Sequence, residues 1–261
     1  MAESAFRRVA GELRAAIEAG TYPPGAALPT VQEIADRFEV SKQTAHNAIK
    51  ALANEGLVRV QYRRGSYVRE LPRERAIIRD RCVYRDELGY FFDRNAADWS
   101  AVGTPTRGLG VPPNHVADLL GIPQGEDVVV RDRQMGPAGA VRPLQLATSY
   151  IPVAVASDIP ALRAEQTGPG GIYDRIEEHF DASIDWRETI SARLPSDAEQ
   201  DLLGVPPTVP VLVVTRESRV YRKGEWLVVE VNETRMPAEQ FAVSYSVQRD
   251  ASAVWPREEA A

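Results

Sequence analysis

The sequence is poor in cysteine and in long apolar runs. Cys82 is the single cysteine among 261 residues, which excludes an internal disulfide and suits a reducing compartment. Neighbouring arginines could make its thiol reactive, but a small, partly buried apolar residue is the simpler interpretation. No apolar run approaches the roughly 18 residues that a membrane span needs, and the N-terminal segment lacks the pattern of a signal peptide. We therefore expect a cytoplasmic protein without a membrane partner.

Motifs for catalysis and metal binding are also missing. The three histidines, His46, His115 and His179, are scattered along the chain. The sequence contains no HExxH, no Cys/His metal spacing, no GxSxG and no phosphate-cradling glycine loop. Acid–base and nucleophilic chemistry need a positioned group of this kind. The sequence therefore predicts a protein that is not an enzyme and holds neither a cofactor nor a metal.

Charge is distributed unevenly along the chain. The whole sequence has 31 Lys/Arg and 37 Asp/Glu, a net charge of -6. Residues 1–75 hold 12 Lys/Arg and 9 Asp/Glu, a balance of +3, which leaves 19 and 28, or -9, for the remainder. A basic N-terminal module on an acidic body predicts a polyanionic partner for the small module alone.

The first seventy residues have the pattern of three short helices and a hairpin. Apolar residues from 4 to 18 recur at three- and four-residue spacings. In "LPTVQEIADRF", Thr30 and Glu33 have the spacing of a capping box, and Ser41 can cap a third helix that runs to about Asn54. The strands in "LVRVQ" and "SYV" flank the basic turn "YRRG". This order predicts a winged helix-turn-helix.

Hydrogen-bonding side chains cover the outer face of the third predicted helix. In such a unit the first residues of that helix reach base edges in the major groove, where Lys42 suits guanine and Gln43 suits adenine. The helix N-terminus suits a phosphate, and the hairpin arginines suit a phosphate ridge or a minor groove. A solvated surface is the alternative for each residue alone, but their order in one unit favours double-stranded DNA. The predicted DNA-binding residues are Ser41, Lys42, Gln43, Thr44, His46, Asn47, Lys50, Arg63, Arg64 and Gly65.

A family resemblance supports this interpretation. The stretch "PPGAALPTVQEIADRFEVSKQTAHNAIKALANEGLVRVQYRRGSYV" resembles the winged helix-turn-helix of the GntR family of bacterial transcription regulators. Lys42 and His46 stand where that family usually has arginine, at positions that face DNA in the family. The resemblance therefore implies the fold and DNA binding, but not an operator sequence. Its fixed positions are matched by Leu28, Pro29, Val40, Ser41, Thr44, Ala48, Leu52, Gly56, Leu57, Gly65 and Val68.

The second half of the chain contains an internal repeat. The stretches "DLLGIPQGEDVVVRDR" and "DLLGVPPTVPVLVVTRES" each contain a helix end, a turn and an apolar strand, and each is followed by a glycine loop and a second strand. Arg131 and Arg216 are 85 positions apart, as are Pro152 and Pro237. The sequence thus predicts a duplicated helix–strand–loop–strand unit. Strands joined by local hairpins predict an antiparallel sheet with packed helices, and so an α+β domain.

Polar side chains share faces of these predicted strands. Arg131 and Arg133 lie two residues apart on one strand, as do Glu230 and Asn232 on another. If the faces converge, they form a polar pocket. The alternative, which remains open at this level, is a set of solvated strand faces with ordinary cross-strand ion pairs.

A second resemblance bears on these two alternatives. The stretches "LGIPQGEDVVVRDR", "PLQLATSYIP", "ETISARLPSDAEQDLLGV" and "LVVEVN" resemble the UTRA domain, the effector-sensing module of the HutC-type branch of GntR regulators. Its fold resembles chorismate lyase. The resemblance implies an effector cleft in this domain. The effector-binding residues that it implies are Arg131, Arg133, Ser149, Tyr150, Glu188, Glu230 and Tyr245.

Together these patterns predict four segments and one function. We expect a winged helix-turn-helix at 1–70, a linker at 71–84, a UTRA-like effector-binding and dimerisation domain at 85–250, and a tail at 251–261. The predicted protein is a repressor that binds a palindromic operator as a homodimer and is released by a small-molecule effector, for which an anion is one candidate class. The alternatives are a DNA-tethered enzyme with a lyase-like domain and an architectural DNA binder.

Overall fold

The structure, a computed structural model, describes residues 4–61, 64–69, 77–80, 82–85, 87, 91–92, 96–164, 167–168 and 171–253. Its N-terminal part, residues 4–69, consists of three helices and a hairpin, and we call it the reading head. Its elements are α1 (Ala5–Glu18), α2 (Val31–Phe38), α3 (Lys42–Asn54), β1 (Val58–Gln61) and β2 (Gly65–Val68).

The two predicted helix caps of the reading head are confirmed. The Thr30 hydroxyl accepts a hydrogen bond from the Glu33 amide at 3.2 Å, and the Glu33 carboxylate accepts one from the Thr30 amide at 2.7 Å. The Ser41 hydroxyl accepts from the Thr44 amide at 3.1 Å. Glu39, in the turn between α2 and α3, has a left-handed conformation with φ 53°. These local bonds satisfy helix amides that would otherwise lack partners and fix where α3 begins.

Apolar side chains from all three helices and the hairpin form one core in the reading head. Leu13, Ile34 and Leu52 are fully buried in it, one from each helix. Arg14 adds a bidentate contact to Glu55, with N···O distances of 2.9 and 2.7 Å, which ties α1 to the end of α3. Helix packing therefore fixes which face of α3 remains exposed.

The segment after the reading head joins the second domain by strand pairing. β3 (Ile77–Arg79) runs parallel to β13 (Phe241–Val243), although it lies within the predicted linker 71–84. Residues 71–76 and 81 of that stretch lie outside the described residues. β4 (Tyr84–Arg85) and β5 (Phe91–Phe92) then form a small antiparallel pair. The chain between the two domains is thus partly built into the second one.

A seven-stranded antiparallel sheet forms the centre of the second domain, which we call the sheet domain. The strand order is β10-β11-β12-β9-β8-β6, and β7 also pairs with β8. The predicted α+β architecture is confirmed. The strands are β6 (Trp99–Ala101), β7 (Thr106–Gly110), β8 (Val128–Pro137), β9 (Gln145–Pro152), β10 (Asp185–Arg193), β11 (Val211–Arg222) and β12 (Glu225–Pro237).

Among the residues that the structure describes, four helices and two short 3-10 turns accompany this sheet. They are α4 (Asn114–Leu120), α5 (Val153–Asp158), the 3-10 turn Pro160–Arg163, α6 (Gly171–Phe180), α7 (Asp197–Leu203) and the 3-10 turn Ala251–Ala253. None of the helices in the described part of the chain is long and apolar enough to cross a membrane.

The repeat predicted from the sequence is present in the fold. One unit is α4, β8 and β9, the other is α7, β11 and β12, and both helices end at a glycine with φ 68°, Gly121 and Gly204. The last strands of the units pair with each other, with Ser149 opposite Asn232. The two units therefore meet at the centre of the sheet.

The two faces of the sheet are covered differently. Helices α4 and α7 pack on the back face, where Leu120, Leu203 and Val231 are buried. On the front face, α5 and α6 cover one apolar end, around Ile151 and Ile176. The other end is covered by β3, β13 and Trp99, whose ring meets Phe241 edge-on at 6.1 Å, over the following buried or partly buried side chains: Leu212, Val214 and Met236. A polar band remains between these two apolar covers.

Candidate functional sites

The outer face of α3 is exposed along its length. Lys42, Gln43, His46 and Lys50 are exposed, whereas Ala45, Ala48, Ile49 and Leu52 are buried in the core of the reading head. Because the buried side chains recur at helical spacing, the polar ones all point away from the core. The structure thus brings the predicted base-reading side chains onto one accessible surface.

Four of the predicted DNA-binding residues hold one another in two pairs. The Gln43 side-chain amide donates to Asn47 Oδ1 at 3.0 Å, and the Ser41 and Thr44 hydroxyl oxygens are 2.8 Å apart. Thr44 and Asn47 are half-buried. Such contacts reduce the number of side-chain conformations that must be lost when a partner binds.

The hairpin of β1 and β2, which we call the wing, is held by a hydrogen bond just below its tip. Arg64 and Gly65 are exposed, and the Tyr67 hydroxyl donates to the Arg64 carbonyl at 2.8 Å. Gly65 has φ 102°, a conformation that favours glycine. The predicted contact residue Arg63 lies outside the described residues. The tip residues that are described therefore lie where the sequence places a nucleic-acid contact.

The far end of α3 contacts the sheet domain. A Cβ atom on Gly56 would lie 3.9 Å from Val209 Cγ2, and Arg69 Nη1 lies 2.6 Å from Glu239 Oε1. The Arg69 and Glu239 side chains are only 13% and 23% exposed. With 13 residues at 1.5 Å each, α3 places its first residue about 20 Å from this contact. The C-terminal end of α3 therefore lies next to the sheet domain, whereas its N-terminal end, which carries the predicted base-reading residues, lies away from it.

In the sheet domain, five of the seven predicted effector residues lie on the front face. One cross-strand row runs Glu188, Arg216, Asn232, Ser149 and Arg131, and directly paired residues of an antiparallel sheet share a face. Two further predicted residues, Arg133 and Glu230, lie two positions along the strands from this row and therefore face the same way.

Ser149 is the centre of a hydrogen-bond network in this band. Its hydroxyl oxygen accepts from Arg133 Nη2 at 2.8 Å and from Asn232 Nδ2 at 3.0 Å. Thr234 donates in turn to Asn232 Oδ1 at 2.9 Å. Ser149 is fully buried. Through Ser149 of β9, the network connects β8, which carries Arg133, to β12, which carries Asn232. It lies where the two repeats meet.

Glu230 is a fully buried carboxylate. Its Oε2 accepts from Ser218 Oγ at 2.6 Å and from the Tyr173 hydroxyl of α6 at 3.2 Å. A β-bulge lies beside it, because Ser218 pairs with Glu230 while Arg219 pairs with Val228, which leaves Val229 as an extra residue. Bulges of this kind redirect side chains and are frequent near functional sites.

Two buried polar atoms in this region lack a hydrogen-bond partner among the described residues. They are Glu230 Oε1 and Arg133 Nε. An unpaired buried polar group is costly, and such groups in native proteins commonly mark a place where a ligand or water completes the bonding. Glu230 Oε1 needs a hydrogen-bond donor as its partner, and Arg133 Nε needs an acceptor.

The surroundings of Tyr173 further favour its protonated form. Burial, followed by the nearby charge of Glu230, raises the pKa of Tyr173 to about 12. The hydroxyl, which is protonated at neutral pH even at its ordinary pKa of about 10, donates to Glu230.

Arg131 is directed to the cover of the sheet. Its Nη1 donates to the carbonyls of Leu162 and Ala164 at 2.9 and 3.1 Å. Burial, together with the positive charges of Arg133 and Arg107, lowers the pKa of Arg131 from its ordinary value. The side chain thus links the polar band to the turn between α5 and α6.

An open cleft of about 560 Å³ lies at the β10 end of the same face. Glu188 and Tyr245, both predicted from the sequence, line it, and Tyr245 is 57% exposed. The segment between the domains contributes one wall and the sheet another. The remaining lining residues are Arg79, Asp80, Cys82, Val83, Trp186, Arg187, Ile190, Arg216 and Val243.

Of the seven predicted effector residues, Glu188 and Tyr245 line this cleft, whereas Tyr150 lies on the opposite side of the sheet. It pairs with Val231 and is buried on the back face against Val116 and Leu120. Because successive side chains of a strand point to opposite faces, Ser149 and Tyr150 cannot both face the polar band. Burial, with the nearby negative charge of Glu233, raises the pKa of Tyr150 to about 12.

Several residues of the front face were missed by the sequence prediction. Arg216 could have been found, because it is the repeat counterpart of Arg131. Ser218 and Tyr173 carry no local signal that links them to Glu230, and Arg79 lies in the stretch expected to be a linker. In the described part of the chain, no cluster of three or more His, Cys, Asp or Glu side chains could hold a metal ion.

Comparisons with known proteins agree with this two-part organisation. The family profile "Bacterial regulatory proteins, gntR family" matches residues 6–68, and that of the UTRA domain matches residues 106–242. The first range covers all but the end residues of the reading head, and the second covers most of the sheet domain.

Similar proteins cover nearly the whole chain. An uncharacterized HTH-type transcriptional regulator of Streptomyces coelicolor is 31% identical over 254 residues, which span 93% of this chain and 87% of the relative. The HTH-type transcriptional repressor NagR of Bacillus subtilis is 23% identical, over 81% of this chain and 82% of NagR. A crystal structure of a protein assigned to the GntR family of transcriptional regulators superimposes with a TM-score of 0.62 at 28% identity, covering 95% of this chain and 99% of that one.

Proposed function

Because the chain belongs to the GntR family of bacterial regulatory proteins and carries a UTRA domain, it is a transcriptional regulator with a ligand-binding effector domain, and we propose that it is a repressor released by a small molecule. The name of NagR, a repressor, supports this sign of regulation. Because the operator would be chromosomal DNA, we place the protein in the cytoplasm.

The observation that carries the proposal is the polar band between the two apolar covers of the front face. It contains a buried carboxylate and a half-buried guanidinium, each with one buried atom that has no hydrogen-bond partner among the described residues, Glu230 Oε1 and Arg133 Nε. Buried polar groups of this kind reject molecules that leave them unpaired, and so they confer specificity for a ligand that pairs with both. We assign the effector to this band and to the adjoining cleft, with Tyr150 in a supporting position behind the sheet.

We assign operator contacts to the exposed surface of α3 and the wing. Lys42, Gln43 and His46 would read base edges, while Arg64 and Lys50 would contact phosphates. Two chains paired through their sheet domains would present two such surfaces to a palindromic operator, since a two-fold dimer matches two equivalent half-sites. The domain boundaries that go with this proposal are 1–70, 71–84, 85–250 and 251–261.

Effector binding would act on the orientation of the reading heads. A ligand shifts an equilibrium only by its differential affinity for two states, so the effector must favour an arrangement that no longer fits both half-sites. The contact between Arg69 and Glu239 lies between the two domains and would differ between those states. Binding without turnover is sufficient for this mechanism, and the similarity to named regulators favours it over the tethered enzyme.

The proposal is tested with the full-length protein and DNA from upstream of its own gene. We expect a promoter fragment to be bound in preference to a scrambled duplex of equal length at moderate ionic strength. A thermal-shift screen of sugar phosphates, amino-acid derivatives and lactones should then yield a compound that raises the melting temperature, because ligand binding stabilises the folded state. The same compound should release the promoter fragment.

Two outcomes would count against the proposal. Equal affinity for promoter and scrambled DNA across all native fragments would remove the regulator assignment. Tighter promoter binding with the compound than without it would reverse the sign of regulation while leaving DNA binding intact.

A further inference from the structure

The cleft at the β10 end contains two guanidinium groups that share one carboxylate oxygen. Glu188 Oε1 lies 2.9 Å from Arg79 Nη2, 2.7 Å from Arg216 Nε and 2.6 Å from Arg216 Nη2. The Arg79 and Arg216 side chains are 5% and 13% exposed, and Glu188 is 23% exposed. The two cations are thus buried deeper than the acid between them.

The other acid in the cleft is engaged elsewhere. Asp80 Oδ1 accepts from the Cys82 amide at 3.0 Å, and Asp80 Oδ2 accepts from the Tyr84 hydroxyl at 2.9 Å. The walls also carry Arg187, so the lining has three arginines and two acids. A buried guanidinium is stable only when an anion or acceptor accompanies it. Arg79 and Arg216 already have Glu188 as that anion, but three cations against two acids leave the lining with a net positive charge, which attracts a second anion.

We propose that this cleft binds a small oxyanion, a carboxylate or a phosphate, between Arg79 and Arg216, and that Glu188 is an internal anion that the ligand displaces. The inference rests on the proposed function and deepens it, because it names the chemical class of the acidic group of the effector. Planar guanidinium groups present paired N–H donors that match the oxygens of both carboxylate and phosphate. The greater exposure of Glu188 leaves it a path out of the pair toward the open cleft.

The position of Arg79 explains how anion binding in the cleft would affect the reading head. Arg79 ends β3, which pairs with β13, and Tyr245 of the cleft lies two residues after the end of β13. Glu239, which binds Arg69 of the reading head, precedes β13 in the same turn. The two-stranded β3–β13 unit thus has the anion cleft at one end and the interdomain ion pair at the other.

The experiment uses the full-length protein and three sodium salts at equal ionic strength, namely phosphate, acetate and chloride. Binding is followed by melting temperature and by tryptophan fluorescence, with Trp186→Phe as the variant that removes the reporter in the cleft. We expect saturable binding of phosphate or acetate that chloride does not reproduce, and a fluorescence change that Trp186→Phe abolishes. A response to phosphate alone identifies a phosphoryl group, and a response to acetate alone identifies a carboxylate.

Two substitutions should change this affinity in opposite directions. Arg79→Gln removes one cation, and we expect the apparent dissociation constant for the anion to rise at least tenfold. Glu188→Gln removes the internal competitor, and we expect that constant to fall at least fivefold. The matched control is Asp185→Asn, which removes an acid from the same strand that pairs with Arg219 at 2.6 Å and does not line the cleft. Its affinity should equal that of the wild type.

Failure of the inference is separable from failure of the proposed function. An unchanged anion affinity in Arg79→Gln, or the same affinity in Glu188→Gln as in Asp185→Asn, would overturn the anion site even if promoter DNA is still bound and released by the screened compound. The absence of any saturable response in the wild type to either oxyanion would do the same, and this measurement does not depend on whether a variant folds. Loss of promoter preference with normal anion binding would instead contradict the proposed function alone.

Discussion

The reading head and the sheet domain place their candidate functional residues in opposite environments. In the reading head the polar side chains stand on the outside of one helix, and apolar side chains form the core behind them. In the sheet domain, Ser149, Asn232 and Glu230 are buried inside the fold and come from strands that are far apart in the chain. A surface that meets a large polyanion can remain exposed, whereas a small molecule is recognised by removing it from water.

The largest effect is expected from Glu230, because its carboxylate is both buried and incompletely paired. In Glu230→Gln the acceptor toward Ser218 can be retained, but the charge is lost. An unpaired buried polar group costs roughly 2 kcal/mol, so we expect about 30 times more of the screened effector to be needed for half-release of DNA. DNA affinity without effector should remain that of the wild type.

The control for this variant is Glu225→Gln, at the exposed start of the same strand. It should behave as the wild type in both measurements. If Glu230→Gln lost DNA affinity to the same extent as effector response, the buried network would be a general support of the fold, and the contrast between the two domains would weaken.

The two capping boxes offer a second test, because Glu199 is more buried than Glu33 and also pairs with an arginine. Glu33 of α2 is exposed, whereas Glu199 of α7 is 6% exposed and accepts two hydrogen bonds from Arg193 at 2.6 and 2.7 Å. Burial alone would raise the pKa of Glu199, but the bonds from Arg193 and Ser196 outweigh it and lower the pKa to about 2. Hydrogen bonds from Thr30 also lower the pKa of Glu33.

A lowered folded-state pKa stabilises the fold at pH values above the unfolded-state pKa, about 4.3, and the stabilisation disappears as the pH falls toward 2. We expect Glu199→Gln to lower the free energy of unfolding by on the order of 2 kcal/mol at pH 7 and by much less at pH 2.5. Urea unfolding at both pH values measures this difference. Glu33→Gln should cost less at pH 7, and a cost equal to that of Glu199→Gln would show that burial is not what separates the two boxes.

The two domains also differ in how much of their structure could be predicted from the sequence. The caps at Thr30 and Ser41 were predictable because both partners of each bond lie within three residues in sequence. The parallel pairing of Ile77 with Phe241 joins distant parts of the chain, and no local pattern encodes it. Arg79 was consequently missed.

Within the single strand β9, the prediction failed for a different reason, because a local rule was available but was not applied. Alternation along β9 is a local rule, and it places Ser149 and Tyr150 on opposite faces once a strand is assigned. The family motif grouped the two residues, and the alternation rule, applied first, would have separated them. The bulge at Val229 has no such rule, because it depends on how β12 meets β11.

The loss of a single surface charge should affect DNA binding less than the loss of Glu230 affects the effector response. We expect Arg64→Ala to weaken promoter binding about fivefold to tenfold and to reduce the slope of log affinity against log salt by about 1, because one phosphate contact is lost. The matched control is Lys223→Ala, which removes one positive charge from the exposed β11–β12 turn of the sheet domain. Equal losses in the two variants would mean that net charge, rather than the position of the wing, determines affinity.

The smallest expected effect is at the contact between the two domains. The Arg69–Glu239 pair is only partly exposed, so we expect a coupling free energy of roughly 1 kcal/mol between Arg69→Ala and Glu239→Ala in a double-mutant cycle on unfolding. If the pair couples the domains, the wild type should unfold in one transition, and either variant should show the reading head melting separately. Additive single losses and an unchanged transition would mean that the two regions are held together by the β3–β13 pairing and the Gly56 contact instead. In that case the path from cleft to reading head would not pass through this ion pair.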